Sequence, residues 1–498
     1  MCGILCIFGN QDGLDIFPED INHRGPDEVS VIERPNLKIY FSRLAIRGSE
    51  MQPFKGPGDE LFVCNGEIYN HLELGGSPVE SDCRTLWRQI REHGVLKGTR
   101  NCQQGEFAFV YYDGKNLFAG RDNVGVRPLF MCIPRPGTVI FSSEIKPVRK
   151  YQCGVFPPGH FYNSITDSYT RWRELCSPTP QISYNFREPL KQGLIRAVQD
   201  RVNNSDRSLC FLLSGGLDSS LVCAIAYFHT NIECLHMFTI GQEDSPDVVA
   251  ARKVSDFFHG LGRKKVKHTV LNFVFEDAQK YIPRVIRSLE SYDTTTIRAS
   301  VPMWLLCKYI SKNTDYKVLL SGEGSDELLA GYRYFKNAPG PRELYIETAR
   351  RVHKLHEFDV LRADRCTSAH GLELRVPFLD NRVLDVCFQI DPQLKMLSPE
   401  KTPLREIFTD YLPHDILWRT KEAFSDAVGY DWVTHLKKSY KDYPMITREH
   451  NTPTTGEESF YRETYEKYFG KINEYLISEI WRPLWTDDNL KDPSARFI

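Results

Sequence analysis

The sequence predicts two domains of different class: a strand-rich α+β domain first, then an α/β domain built on a parallel sheet. Three observations carry this. In the first part, apolar runs such as Gly105-Glu106-Phe107-Ala108-Phe109-Val110-Tyr111-Tyr112 and Leu129-Phe130-Met131-Cys132-Ile133 recur with few long helices between them. Further on, strand-like and helix-like segments alternate, the pattern of a parallel sheet. Between the two parts, Pro157-Pro158-Gly159-His160 and the polar stretch around Ser177-Pro178-Thr179-Pro180 read as breaks. The expected division is residues 2–165, a linker over 166–187, and a second domain over 188–498. A chain of 498 residues can bury a full core in each domain.

Composition is that of a globular protein, 41% hydrophobic and 26% charged. The net charge of −2 predicts no bulk attraction to nucleic acid or an anionic membrane. No apolar run approaches a membrane span. Met1-Cys2-Gly3-Ile4 lacks the basic region and apolar core of a signal peptide. The 14 cysteines form no CxxC pair, and Cys64, Cys210, Cys223 and Cys307 lie inside apolar runs, where Cys behaves as a small buried hydrophobe. A cytoplasmic, reducing location is expected, without a disulfide framework or zinc site.

Cys2 is the first candidate for chemistry. Removal of Met1 would leave a thiol and an α-amine on one residue, and an amine with a pKa of roughly 7.7–8.0 can act as its base. By itself, Met-Cys-Gly-Ile is explained as well by a buried structural Cys. It is followed by Asn22-His23-Arg24-Gly25-Pro26-Asp27, Phe41-Ser42-Arg43-Leu44-Ala45-Ile46 and Cys64-Asn65-Gly66-Glu67-Ile68-Tyr69-Asn70. Glu80-Ser81-Asp82-Cys83, Gly105 to Phe109, Arg121 to Leu129 and Phe141-Ser142-Ser143-Glu144-Ile145-Lys146 complete the series.

This series, in this order, resembles the class II glutamine amidotransferase domain. The resemblance implies an Ntn-type αββα sandwich that hydrolyses glutamine. Cys2 would attack the amide carbon and form a thioester. Asn65 and Gly66 would donate to the oxyanion. Arg43 would clamp the α-carboxylate, Glu67 and Asp82 would hold the ammonium, and Leu44, Ala45, Ile46 and Arg47 would complete the pocket. Each residue has a plainer explanation. Asn65-Gly66 is also a type I′ turn signal, Arg43 could pair with any acid, and Asp82 could cap the helix before Arg84-Thr85-Leu86-Trp87. His23 reads as structural. The family commonly continues RLSI with an apolar residue and Asp; here Ala45-Ile46-Arg47-Gly48 follows Leu44.

The second half opens with a helix expected over Glu188 to Val202. Arg207-Ser208-Leu209-Cys210 leads into Phe211-Leu212-Leu213-Ser214-Gly215-Gly216-Leu217-Asp218-Ser219-Ser220, then an apolar helix through Tyr227. Strand, glycine-rich turn and helix point backbone N–H groups at an anion. No Lys follows the glycines, so this is no Walker loop. It resembles the pyrophosphate loop of the ATP pyrophosphatases. Asp218 beside phosphates implies Mg²⁺. Leu235 to Gly241 reads as a second strand, and Ser245-Pro246-Asp247 as a helix start. The basic run Arg263 to His268 reads as a solvated loop. Ser291 to Arg298 reads as a polar segment before an apolar helix from Pro302 to Ile310.

Val318-Leu319-Leu320-Ser321-Gly322-Glu323-Gly324-Ser325-Asp326-Glu327 repeats the strand and glycine turn. With the amidotransferase series upstream, the two loops resemble the glutamine-hydrolysing asparagine synthetase family, as do Gly371 to Asp380 and Arg419 to Gly429. The family implies an ATP-pyrophosphatase-type domain with added helices. Leu212, Ser214, Gly215, Gly216, Asp218, Ser219, Ile240, Ser321 and Gly322 would bind ATP, and Asp218 and Asp326 would hold Mg²⁺. Glu323 would act on the acyl-adenylate as base for ammonia, and Lys421 would neutralise phosphate charge. Asp293, Thr295 and Arg298 are candidates for holding aspartate, with a capping loop as the equal alternative. Ala427 stands where the family commonly has Gly. A β-lactam synthetase is opposed by the intact Cys2 pocket, other class II amidotransferases by the second-half loops, and a silent binding homologue by Cys2, Asp218, Glu323 and Lys421 together. The expected partners are glutamine, aspartate and ATP, without nucleic acid or membrane. Oligomeric state is left open, a homodimer included.

Overall fold

The computed structural model describes residues 1–421 and 431–486. Ala427 and the chain end from residue 487 lie outside the described residues. The first part contains β1 (Gly3–Phe8), β2 (Glu28–Arg34), β3 (Leu37–Arg43), β4 (Phe54–Lys55), β5 (Leu61–Ile68) and β6 (Gly105–Tyr112). It continues with β7 (Leu117–Arg121), β8 (Phe130–Arg135), β9 (Thr138–Ser142), β10 (Cys153–Val155), β11 (His160–Asn163) and β12 (Ser168–Arg171). They form two six-stranded antiparallel sheets, in the orders β10-β8-β9-β1-β3-β2 and β12-β11-β7-β6-β5-β4.

The two-residue period of a strand sorts the side chains. Ile4, Cys6, Ile39 and Phe41 from one sheet pack on Val63, Ala108, Val110 and Ala119 from the other. The outer face of the second sheet, with Phe62, Cys64, Phe107 and Phe109, is covered by Leu86, Trp87 and Ile90 of the helix Asp82–Asn101. The outer face of the first sheet, with Leu5, Ile7, Tyr40 and Ile140, joins the core of the second half. Two expectations shift here. Ser168–Arg171, expected within the linker, is a strand paired with β11. Cys132 and Cys153, directly opposed on β8 and β10 with Cα atoms 4.4 Å apart, form a disulfide, a single local bridge that their 21-residue separation hides in the sequence.

The second half holds a five-stranded parallel sheet, β15-β14-β13-β16-β17, from β13 (Leu209–Leu212), β14 (Cys234–Gly241), β15 (Lys265–Asn272), β16 (Val318–Leu320) and β17 (Glu373–Arg375). The chain runs outward from β13 through β14 to β15, then returns to the other side of β13 with β16. The switch point therefore lies between β13 and β16, where an open parallel sheet leaves a crevice beyond its strand ends. The expected helix before β13 spans Arg187–Asn203.

One helix differs from expectation. It spans Thr294–Asn313, with Pro302 inside it. Asp293 starts it by accepting from Thr296 N at 2.8 Å. Pro302 lacks the N–H that would bond Arg298 O. The Trp432 indole N–H donates to that carbonyl instead, at 3.1 Å. A tertiary contact thus satisfies the orphan group and lets the helix pass through the proline.

The halves meet through buried ion pairs. Arg24 contacts Glu144 at 2.7 Å and Asp364 at 2.8 Å, and Arg201 joins Glu106 at 2.8 Å to Asp380 at 2.9 Å. His23 lies 3.2 Å from Glu144, within this network. Such pairs add little net stability, because desolvation offsets their attraction.

Candidate functional sites

Two sites stand out, one in each half. At the first, Cys2 precedes β1 beside the end of β3. Its main-chain N–H donates to Asn65 Oδ1 at 2.8 Å, and its Sγ lies 3.9 Å from Leu44 O. Burial pushes the Cys2 thiol up, with the nearby terminal ammonium and the Leu44 carbonyl contact opposing. Asn65 and Gly66 lie inside β5, opposite Ala108 and Phe107. The turn alternative is thereby excluded. Asn65 is fully buried, and its Nδ2 has no hydrogen-bond partner. A buried amide left unpaired is costly, and here it is a donor available to a ligand next to the thiol. Gly66 is required by packing: a Cβ would come within 2.1 Å of Glu106 O.

Arg43, at the end of β3, makes an ion pair with Glu28 at 2.6 Å and donates to Gly48 O at 2.5 Å. Asp82 is the first residue of its helix rather than its cap, which is Ser81. The Asp82 carboxylate accepts from Ile68 N at 2.5 Å and Cys83 N at 3.0 Å. Burial raises the Glu67 carboxyl well above its ordinary range, with Asp82 and Glu373 adding to the effect and Arg375 opposing it. Both acids are tied to the second half. Asn204 Nδ2 donates to Glu67 at 2.9 Å and to Asp82 at 3.1 Å, and Arg375 lies 3.0 Å from Glu67. The segment after Leu44 is docked in the same way: Arg207 donates to Ala45 O at 2.8 Å, Asp206 N to Ile46 O at 3.0 Å, and Gly48 N to Asp206 at 2.9 Å. Arg47 donates to Pro78 O at 2.9 Å. The motif around Arg121 is a scaffold, since Asp122 accepts from the backbone N–H groups of Gly125, Val126 and Arg127.

The second site is a cleft of about 170 Å³ beyond the ends of β13, β14 and β16. Its walls include Leu212, Ser214, Gly216, Asp218, Ser219, Ile240, Ser321 and Gly322, that is, the predicted nucleotide set apart from Gly215. Gly215 adopts φ +74° with Ala251 N 2.5 Å from where a Cβ would stand, so only glycine fits the turn. The two glycine loops touch, because a Cβ on Gly322 would meet Asp218 Cβ at 2.8 Å. This packing brings Asp218 and Asp326 to one place.

Lys401, which sequence reasoning missed, lies between them. Its Nζ is 2.6 Å from Asp218 Oδ2 and 2.6 Å from Asp326 Oδ1, and Lys421 is 2.8 Å from Asp326 Oδ2. Gly331 leaves room for it; a Cβ there would approach the Lys401 side chain at 2.3 Å. Burial alone would raise the Asp326 carboxyl, but the two ammonium groups hold it well below the usual carboxylate range. Glu323 is 2.7 Å from Arg362, a second residue not foreseen, which also holds Asp359 at 2.9 Å. Burial raises the Glu323 carboxyl, with Arg362 opposing it. No local motif marks Lys401 or Arg362.

Thr295 and Arg298 line the cleft, while Asp293 does not. The Thr295 hydroxyl has no hydrogen-bond partner, whereas Arg298 is held by Glu457 at 2.7 Å. The capping alternative describes Asp293, which accepts from Thr296 N and from Trp481 N at 2.7 Å. Trp481 in turn forms part of the cleft wall.

Comparison with known proteins fits this two-site layout. A glutamine amidotransferase domain family model matches residues 1–206, and the asparagine synthase family model matches 189–347 and 336–486. The chain is 37% identical to the glutamine-hydrolysing asparagine synthetase of Asparagus officinalis, over 94% of this chain and 86% of the relative. Identity to the Sandersonia aurantiaca enzyme is 37%, over 95% and 97%. For asparagine synthetase 2 of Arabidopsis thaliana it is 38%, over 95% and 88%.

The chain belongs to the glutamine-hydrolysing asparagine synthetase family.

Within this family framework, the cleft and the Cys2 pocket are separate sites in one chain. Among the described residues, no helix is long and apolar enough to cross a membrane.

Proposed function

We infer that the chain is an asparagine synthetase, a ligase that makes asparagine from aspartate and ATP with ammonia released from glutamine. What supports this most is the pairing, in one chain, of a buried thiol beside an unpartnered amide with a two-loop cleft at a parallel-sheet switch point. Glutamate leaves the first site; AMP and pyrophosphate leave the second. The work proceeds in the cytoplasm, and the division between domains falls within 173–186.

At the first site Cys2 attacks the glutamine amide. Its proton passes to the α-amine that removal of Met1 exposes, thiol and base then sitting on one residue. The Asn65 Nδ2 and Gly66 N–H take the oxyanion. Arg43 receives the α-carboxylate, with Leu44 to Arg47 as the wall. Glu67 and Asp82, already bonded to Asn204, shape the ammonium end.

At the second site the aspartate side-chain carboxylate attacks the α-phosphate of ATP. The resulting β-aspartyl-AMP carries the leaving group that a free carboxylate lacks. Ser214, Gly216, Ser219, Ser321 and Gly322 position the phosphates, with Leu212 and Ile240 against the base. Thr295 and Arg298 stand on the aspartate side. Glu323, raised by burial, accepts the proton that ammonia loses on attack. Lys421 and Lys401 meet the departing pyrophosphate. Asp218 and Asp326 fit a hard cation, since together they already surround the Lys401 ammonium. Mg²⁺ there would neutralise phosphate charge.

The test is AMP and asparagine formation with glutamine or ammonium as nitrogen donor. In Cys2→Ala, glutamine-dependent synthesis should fall by about 10⁴-fold or more, while ammonium-dependent synthesis stays near wild type. Absence of AMP from wild type with either donor overturns the reading.

A further inference from the structure

The cation assigned to glutamine's α-carboxylate already holds a carboxylate of the protein. Glu28 Oε2 sits 2.6 Å from Arg43 Nη1, and Arg43 Nη2 donates to Gly48 O at 2.5 Å. Each terminal nitrogen of the guanidinium thus spends one of its two N–H groups on the protein, and Glu28 competes for those that a substrate carboxylate would use in a two-bond grip. Strand register builds this pair in. Glu28 and Arg43 are direct partners across β2 and β3, and directly opposed residues project to the same face of a sheet. The Arg43 side chain is 7% exposed and that of Glu28 is 38% exposed. The acid is thus on the solvent side and free to swing outward, while the base stays in place.

The neighbouring acids are spoken for. Asp27 accepts from Ala45 N at 2.8 Å. Glu67 and Asp82 are bonded to Asn204, and Glu67 also to Arg375. Glu28 alone among these four carboxylates lies on the Arg43 guanidinium in the structure.

We propose that Glu28 is an internal competitor for glutamine, its carboxylate occupying Arg43 in the resting enzyme and leaving when the substrate carboxylate enters. The proposal rests on the reading of Arg43 as the α-carboxylate clamp. Its consequence is an exchange of one ion pair for another, so the clamp adds little net affinity and the KM for glutamine is raised. Once the substrate is seated, the acid has left, so kcat is untouched. The same competition acts on any α-amino acid carboxylate that enters this pocket, glutamate included. The ammonium-dependent reaction does not pass through Arg43 and is indifferent to Glu28.

The experiment is steady-state kinetics of the full-length enzyme, with glutamate release followed against glutamine and asparagine formation followed against ammonium. Glu28→Gln and Glu28→Ala should lower the KM for glutamine by about two- to fivefold, the range of a half-exposed ion pair. The kcat and the ammonium reaction should stay within about twofold, and Glu28→Asp, which keeps the charge, should stay near wild type. An unchanged KM in Glu28→Gln overturns the proposal. A raised KM overturns it as well, since Glu28 would then support Arg43 or hold the substrate ammonium. Arg43→Ala separates the two claims: it should raise the KM for glutamine by more than about thirtyfold. If Arg43→Ala leaves KM unchanged, the clamp reading itself fails; if it raises KM while Glu28→Gln does not lower it, only the competitor fails.

Discussion

The two sites differ in where their supports come from. The second cleft is built by its own half: its wall, among the described residues, starts at Leu212. The first pocket is completed from outside, with Asn204, Asp206, Arg207 and Arg375 holding its acids and its wall. They also differ in what keeps them open. Asn65 and Gly66 are placed by strand register, a backbone property, whereas Asp218, Asp326 and Glu323, brought together by loop packing, are held by opposite charges on Lys401, Lys421 and Arg362. A site on a strand is as rigid as its sheet; a site on strand-end loops needs counter-charges to stand still. The glutamine reaction should therefore depend on both halves, and the synthetase reaction on one.

The largest effect should come from Lys401. Lys401→Met breaks the pair to Asp218 and leaves Asp326 to Lys421 alone, and breaking a buried pair costs about 3–5 kcal/mol. The variant should melt earlier than wild type, and added Mg²⁺ should raise its Tm more than that of wild type. Equal responses to Mg²⁺ would mean that charge does not organise this cleft. Next, Asn65→Ala should cost about 2.7–4 kcal/mol in glutamine-dependent kcat, as for loss of one oxyanion donor. It should spare the ammonium reaction.

Asp293 supplies a pH test of the cleft wall. Burial pushes its carboxyl up to about 6, against two backbone N–H groups that favour the charged form. The native state thus binds this proton more tightly than the unfolded chain. Its stabilising contribution is complete below the unfolded value near 3.9 and is lost as pH rises through 6. Asp293→Asn does not titrate. The stability of wild type relative to this variant should fall by about 2–3 kcal/mol between pH 4 and pH 7. A flat difference across that range would refute the assignment.

Asn204 is the sharpest probe of the asymmetry between the halves. Although it lies in the second half, Asn204→Ala should reduce glutamine-dependent kcat/KM by about 1–3 kcal/mol by removing the one donor that Glu67 and Asp82 share. Ammonium-dependent synthesis should be unchanged; an equal loss in both reactions would break the comparison. The smallest effect is expected for Trp432→Phe, which strips the substitute donor from Arg298 O. Unfolding free energy should drop by about 1 kcal/mol, and denaturant titration would detect it.

Much of this was legible in the chain. Alternating apolar runs predicted β6, and β13 and β16 followed from short apolar stretches ending in glycine turns. Cys2, Asn65, Asp218 and Glu323 stood out because their motifs are contiguous in sequence. Asn65-Gly66 shows the limit of such local signals, since the same dipeptide serves a turn or a strand interior. Only its partner strand β6 decides between them. Pro302 shows a second limit: it reads as a helix start until Trp432, distant in sequence, takes over the freed carbonyl.

By itself, then, the sequence determined the two domain classes, the order of strands and glycine loops, and the candidate nucleophile. These depend on period, turn chemistry and residue type, which are local. The tertiary structure decided which charge meets which. Lys401 between Asp218 and Asp326, Arg362 on Glu323, Asn204 on Glu67 and Glu28 on Arg43 are choices of partner. An ion pair forms where packing brings two groups out of water together, and no pattern within one segment records what another segment will bury against it.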